Sequence, residues 1–100
     1  MNILLVCAGG MSTSILAMHM QEYADKQDLG YKIWATDYST IKRHRKDLDV
    51  ILVGPQVANY ISEVRRIALE GTKVAVINET AYGMMDGAFI VEQIRRGEIE

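Results

Sequence analysis

Four short runs of strand-forming residues, each followed by a segment of helical character, constrain this chain more than any other feature. Ile3-Leu4-Leu5-Val6 and Val50-Ile51-Leu52-Val53 are unbroken by polar residues, as strands buried on both faces of a parallel sheet require. Tyr31-Lys32-Ile33-Trp34-Ala35 alternates in polarity and reads as a more exposed edge strand, and Lys73-Val74-Ala75-Val76-Ile77 supplies the fourth. Leu16, Met20, Tyr23, Ala24 and Gln27 recur at helical spacing and predict an amphipathic helix over residues 11–26, stopped before Gly30. A short helix over residues 41–45 has thin apolar content. Pro55 suits the first turn of a helix carrying Val57, Tyr60, Ile61, Val64, Ile67 and Ala68 up to Gly71, and residues 88–96 form a closing helix ended by Gly97. Residues 78–87 read as a loop or broken turn. Strand and helix therefore alternate, which predicts an α/β fold: a four-stranded parallel sheet of order 2-1-3-4, helices on both faces, joined by right-handed crossovers.

One hundred residues suffice for one core, so residues 1–100 are expected to form a single domain. The composition is that of an ordinary globular chain, without a signal-like leader and without an apolar run near the ~20 residues of a membrane span, so a cytoplasmic protein with no direct membrane insertion is expected. A net charge of −2 argues against a general nucleic-acid binder, whose domains tend to be basic. Lys42-Arg43-His44-Arg45-Lys46 is the local exception. Flanked by Asp47 and Asp49, it reads as a solvated surface, with a partner-docking patch as the alternative. One cysteine cannot form an internal disulfide or a Cys-x-x-Cys pair, so Cys7 is either buried filler or a reactive thiol.

Its setting favours reactivity. The first strand stops at Cys7, Ala8-Gly9-Gly10 loosens the backbone, and Met11-Ser12-Thr13-Ser14 restarts it as a helix. Such a turn directs backbone N–H groups and the positive end of a helix dipole at one point, a setting that holds anions such as phosphate. In sheets of this kind ligands collect outside the carboxyl ends of the strands. That rule gathers the Cys7 loop, Asp37 to Ser39, Gly54-Pro55-Gln56 and residues 78–87 at one edge.

Several chemistries compete for such an edge. A nucleotide P-loop needs a lysine at the start of its helix, and none lies in residues 1–25. A phosphorylated receiver domain needs an aspartate at the end of the third strand, where Val53-Gly54 stands. A cysteine-dependent phosphatase carries Cys-x5-Arg-Ser; this chain has Cys7-x5-Thr13-Ser14, so the arginine that would clamp the transferring phosphoryl group is missing. A cysteine that accepts a phosphoryl group and keeps it for another protein gains from that absence, because stabilising attack by water would drain the intermediate.

Here a resemblance becomes specific. The Cys7-Ala8-Gly9-Gly10-Met11-Ser12-Thr13-Ser14 loop, the Gly54-Pro55-Gln56 turn and Tyr82-Gly83-Met84-Met85-Asp86-Gly87 together resemble the enzyme IIB component of the lactose/cellobiose class of the phosphoenolpyruvate-dependent sugar phosphotransferase system. The match spans essentially the whole chain, and the architecture is similar to that of low-molecular-weight tyrosine phosphatases. The resemblance implies that Cys7 takes a phosphoryl group from a phosphohistidine of enzyme IIA. It would then pass the group to a sugar carried by the membrane enzyme IIC, a β-linked disaccharide or oligosaccharide such as cellobiose or chitobiose. Residues 8–14 would form the phosphate-binding loop, through side chains or through backbone amides alone, and Gln56 and Tyr82 are candidate neighbours. Met11 is placed to exclude water from the loop. His19 and His44 are not expected to carry phosphate. No metal or cofactor is expected, and the chain is expected to be monomeric, meeting IIC at the inner face of the membrane. A small cysteine phosphatase of similar fold is the alternative, and a non-catalytic anion-binding module a third reading.

Overall fold

The computed structural model describes residues 1–7 and 11–99, without the side chains of residues 11 and 45. Four parallel strands, β1 (Asn2–Cys7), β2 (Lys32–Asp37), β3 (Val50–Val53) and β4 (Lys73–Val76), form one sheet in the order β2-β1-β3-β4, as the alternation predicts. The most apolar strand is central: Ile3, Leu4, Leu5 and Val6 are all fully buried. Each such side chain contributes roughly 1.5–3 kcal/mol of burial.

The pleat sends alternate β1 residues to opposite faces. Ile3 and Leu5 pack with Val50, Leu52 and Ala75 beneath Leu16, Ala17, Met20 and Ala24 of helix α1 (Met11–Lys26). Leu4 and Val6 join Ile51, Val53 and Val74 on the other face. There they meet Ile41 of the short helix α2 (Ile41–His44) and Val64 of α3 (Ile61–Ile67). Gly30, at φ +70°, closes the turn after α1 in the left-handed region.

Three expectations are corrected. The edge strand β2 runs on to Asp37 instead of stopping at Ala35, because Val6 and Cys7 continue to pair with Thr36 and Asp37. The helix expected from Pro55 is broken: Pro55–Tyr60 is 3-10, Val57 leaves helical angles (φ −120°, ψ 27°), and α3 ends at Ile67. Residues 78–87 are not simply a loop. Asn78 accepts a hydrogen bond from the Ala81 amide and starts a one-turn helix, α4 (Glu79–Gly83), and Asp86 caps α5 (Gly87–Arg95) through the Phe89 amide.

Helices α1 and α5 lie side by side over the sheet. At their crossing a Cβ on Gly87 would stand 2.6 Å from the Met20 nitrogen and 2.7 Å from the His19 carbonyl carbon, closer than any Cβ approaches, so only glycine fits. His19 Nδ1 donates to the Met85 carbonyl at 3.0 Å, and Tyr23 donates to Glu92 at 2.6 Å. His19 is thus a structural tie. The residues after the basic run reach the amino edge of the sheet, opposite Cys7, where Asn2 donates to the Asp47 carbonyl and the Asp49 carboxylate. Lys42, Arg43 and Lys46 are exposed, and the His44 and Trp34 rings meet in a T-shaped pair with centroids 6.0 Å apart.

Candidate functional site

Cys7 ends β1 and is 8% exposed. It shares the parity of Ile3 and Leu5, so the pleat turns it to the α1 side of the sheet. Two neighbouring strands close on it. Asp37 is its register partner in β2, and the Gly54 amide donates to the Val6 carbonyl at 2.9 Å, carrying the turn after β3 alongside. A Cβ on Gly54 would lie 3.7 Å from the Cys7 Cβ and 3.1 Å from Gln56 Oε1. The Gln56 amide therefore folds back over Gly54, beside the cysteine.

Tyr82 of α4 reaches the same place from the far strand. It is half-buried against the α1-side core, and its hydroxyl accepts from Gln56 Nε2 at 3.0 Å while lying 3.3 Å from Thr13 Oγ1. Thr13, in the first turn of α1, is 1% exposed; Ser12 and Ser14 beside it face solvent. An open cleft of about 420 Å³ lies between the turn after β3 and α4, lined by Pro55, Gln56, Glu79, Tyr82 and Gly83. Ala8, Gly9, Gly10 and the Met11 side chain lie outside the described residues.

The carboxylates near this edge act as caps. Asp37 accepts from the Ser39 amide at 2.9 Å, and that backbone bond, followed by the bond to the Ser39 side chain, holds its carboxyl below the ordinary range. An acid so stabilised as its anion is a poor proton donor. Asp86, in the same motif as Tyr82, accepts from the Phe89 amide. Tyr38, directly after β2, stacks on Tyr60 with ring centroids 4.9 Å apart and adds an aromatic pair to the carboxyl side of the sheet.

The structure thus links Thr13, Tyr82 and Gln56 by hydrogen bonds and sets Gln56 beside Gly54, the neighbour of Cys7. It adds Glu79 in the cleft, which sequence reading missed. The signal was present: an Asn followed by Glu directly after a strand marks a helix start. Among the described residues no group of three His, Cys, Asp or Glu side chains is placed to hold a metal ion, and no helix is long and apolar enough to cross a membrane.

Residues 2–93 match the family model described as the lactose/cellobiose-specific IIB subunit of the PTS system. The oligo-beta-mannoside-specific EIIB component of Bacillus subtilis is 40% identical over 93 residues, covering 92% of this chain and 90% of the relative. The cellobiose-specific EIIB component of Lactococcus lactis is also 40% identical, over 91 residues, covering 85% of this chain and 84% of the relative. A lactose-specific EIICB component of Staphylococcus haemolyticus is 28% identical over 102 residues, which cover 95% of this chain and 18% of that longer protein. Among solved structures, the lactose-specific IIB domain of Streptococcus pneumoniae superposes with a TM-score of 0.85 at 19% identity, covering 96% of this chain and 95% of that one, a likeness of fold.

Proposed function

Because the chain belongs to the lactose/cellobiose-specific IIB subunit family of the phosphotransferase system, we propose that it is a phosphocarrier whose acceptor atom is the sulfur of Cys7. The observation that carries this reading is the position of Cys7: last residue of the central strand, turned to the α1 side, between Asp37 and Gly54 at the carboxyl edge of the sheet. The donor is a phosphohistidine of enzyme IIA. The Cys7 thiolate attacks phosphorus in line, the P–N bond breaks, and its electron pair returns to the imidazole. In the second step a sugar hydroxyl attacks the same phosphorus, the S–P bond breaks to regenerate the thiolate, and the hydroxyl proton leaves to a base supplied with the sugar. Transfer of this kind asks for alignment and charge stabilisation more than for covalent help from the protein.

The positive end of α1 and the amides of residues 8–14 would stabilise the phosphoryl oxygens, charge-assisted bonds being worth roughly 1.5–3 kcal/mol each. Thr13 stands where the phosphatase pattern has arginine. Without that clamp, water attack on the intermediate gains little, and the group waits for its acceptor.

The acceptor is a sugar presented by the membrane enzyme IIC, at the inner face of the membrane. The relative named EIICB, in which a IIB region is part of a longer chain, supports that partnership. Relatives named for oligo-beta-mannoside and for cellobiose are both 40% identical to this chain, so identity does not discriminate the sugar. A β-linked disaccharide or oligosaccharide such as cellobiose or chitobiose is the class proposed. The whole chain is read as one IIB domain, acting as a monomer.

The test is intact-mass analysis after incubation with phosphorylated enzyme IIA of the same system, and separately with an aryl phosphate. One phosphate gained from enzyme IIA and blocked by alkylation of Cys7 is the expected result. Sustained release of phosphate from the aryl ester without a stable adduct would replace the carrier with the phosphatase.

A further inference from the structure

Three side chains from distant parts of the chain meet in one hydrogen-bonded chain, whose Gln56 end lies over Gly54, next to Cys7. Gln56 follows β3, Tyr82 lies in α4, and Thr13 opens α1. Gln56 Nε2 donates to the Tyr82 hydroxyl at 3.0 Å, and that hydroxyl lies 3.3 Å from Thr13 Oγ1. Resting on the reading of Cys7 as phosphoryl acceptor, we infer that Tyr82 is a positioning residue for the transfer: its hydroxyl closes a Gln56–Tyr82–Thr13 chain that sets the first turn of α1 and the Gln56 amide around Cys7.

The inventory of donors and acceptors explains why the hydroxyl matters. A phenol has one proton and two lone pairs. One lone pair receives Gln56, so the contact with Thr13 uses either the phenol proton or the remaining lone pair, and in both cases it fixes the direction of Thr13 Oγ1. Thr13 is 1% exposed, so water does not readily replace a lost partner. Its hydroxyl would have to turn, and the turn it belongs to is the first of α1, whose amides are proposed above to hold the phosphoryl group. At the other end, Gln56 is exposed. The bond to Tyr82 keeps its amide folded over Gly54, with Oε1 3.1 Å from the Gly54 Cβ direction and that direction 3.7 Å from the Cys7 Cβ. The ring of Tyr82 packs against the core, which anchors the hydroxyl. Tyr82 does not act on the sulfur itself. It acts through Gln56 and Thr13.

A residue that only positions should alter the rate of the bound complex more than its formation. Tyr82→Phe keeps the ring and removes the hydroxyl. In single-turnover transfer from the organism's own phosphorylated enzyme IIA of this class, the saturating rate should fall about 10-fold while the half-saturating concentration stays within about twofold. Gln56→Met, a change at an exposed position that leaves the core untouched, should reproduce part of that loss. The double variant Tyr82→Phe/Thr13→Val should be no slower than the slower of its two single variants, because residues that act as one unit are not additive. A saturating rate for Tyr82→Phe within twofold of wild type, or full additivity with Thr13→Val, overturns the inference and leaves the carrier reading standing. A wild-type protein that takes no phosphate from enzyme IIA overturns both.

Discussion

Near its first turn, helix α1 touches residues 82–87 through one hydroxyl pair, Thr13 and Tyr82 at 3.3 Å; two turns further on it meets the same segment at Gly87, where a Cβ would stand 2.6 Å from the Met20 nitrogen. The first contact is a hydrogen bond with room beside it, at the edge of a cleft of about 420 Å³. The second is backbone against backbone. A hydrogen bond can be remade with another partner at a net difference of about 1 kcal/mol, whereas a close-packed crossing gives way only by moving a helix. The six residues of one sequence motif are thus divided. Tyr82 belongs to the cysteine edge, and Met85 to Gly87 anchor α1 upon α5. Loss at the first place should be felt in rate, and at the second in stability.

The largest expected effect is at the cysteine edge. Cys7→Ser should lower phosphoryl transfer roughly 10³-fold or more, since a serine hydroxyl without an adjacent base is a weak nucleophile. Its melting temperature should stay close to wild type, because the substitution is nearly isosteric. Sugar phosphorylation at the wild-type rate in a reconstituted system would remove Cys7 from the mechanism. Gly87→Ala is the converse experiment. The added methyl must push α1 and α5 apart, an overpacking cost of about 2 kcal/mol, which for a chain of this size is a fall of roughly 10 °C in melting temperature. At temperatures where the variant is folded, transfer from enzyme IIA should remain within about threefold of wild type. An unchanged melting temperature with a collapsed rate would mean that the crossing serves the site and that the division drawn here is wrong.

The division was only half legible in the sequence. Strand order and the gathering of Cys7, Asp37 and Gln56 followed from the alternation of runs, because Ile3 to Val6 and Val50 to Val53 are apolar enough to admit only central strands. Gly87 was seen as part of a motif, yet its reason is a contact with Met20, sixty-seven positions earlier, which no local pattern encodes. The same holds for Tyr82: its partner Thr13 is just as remote. The one-turn helix α4 is too short for periodicity to show, and only the Asn78 cap announced it. The break at Val57 was hidden for the opposite reason, since the apolar spacing from Val57 to Ile67 is helical and the kink interrupts its geometry without interrupting its pattern. The extension of β2 to Asp37 came from pairing with β1, which does not need apolar side chains.

The smallest effect lies at the far end of the α1–α5 seam, where contact gives way again to a hydrogen bond. Tyr23 donates to Glu92 Oε2 at 2.6 Å, and Arg95 donates to the same oxygen at 2.9 Å. The bond from Tyr23, and after it that from Arg95, holds the Glu92 carboxyl below its ordinary value; the same bond raises the Tyr23 phenol. A carboxylate depressed in the folded state adds stability that is fully present above the unfolded value of about 4.3 and is lost as pH falls through the folded value. Tyr23→Phe removes the larger of the two causes and leaves Arg95 in place. The Glu92 titration midpoint, followed by NMR at the side-chain carboxyl carbon, should therefore rise part of the way to the ordinary value. The loss of stability on acidification below about pH 5 should become correspondingly shallower. Phosphoryl transfer at neutral pH should not change, because the pair is remote from Cys7 along α1. A midpoint unmoved by the substitution would show that Arg95 alone sets Glu92, and that this end of the seam is held by an ion pair on the surface instead of by the tyrosine that packs against the core.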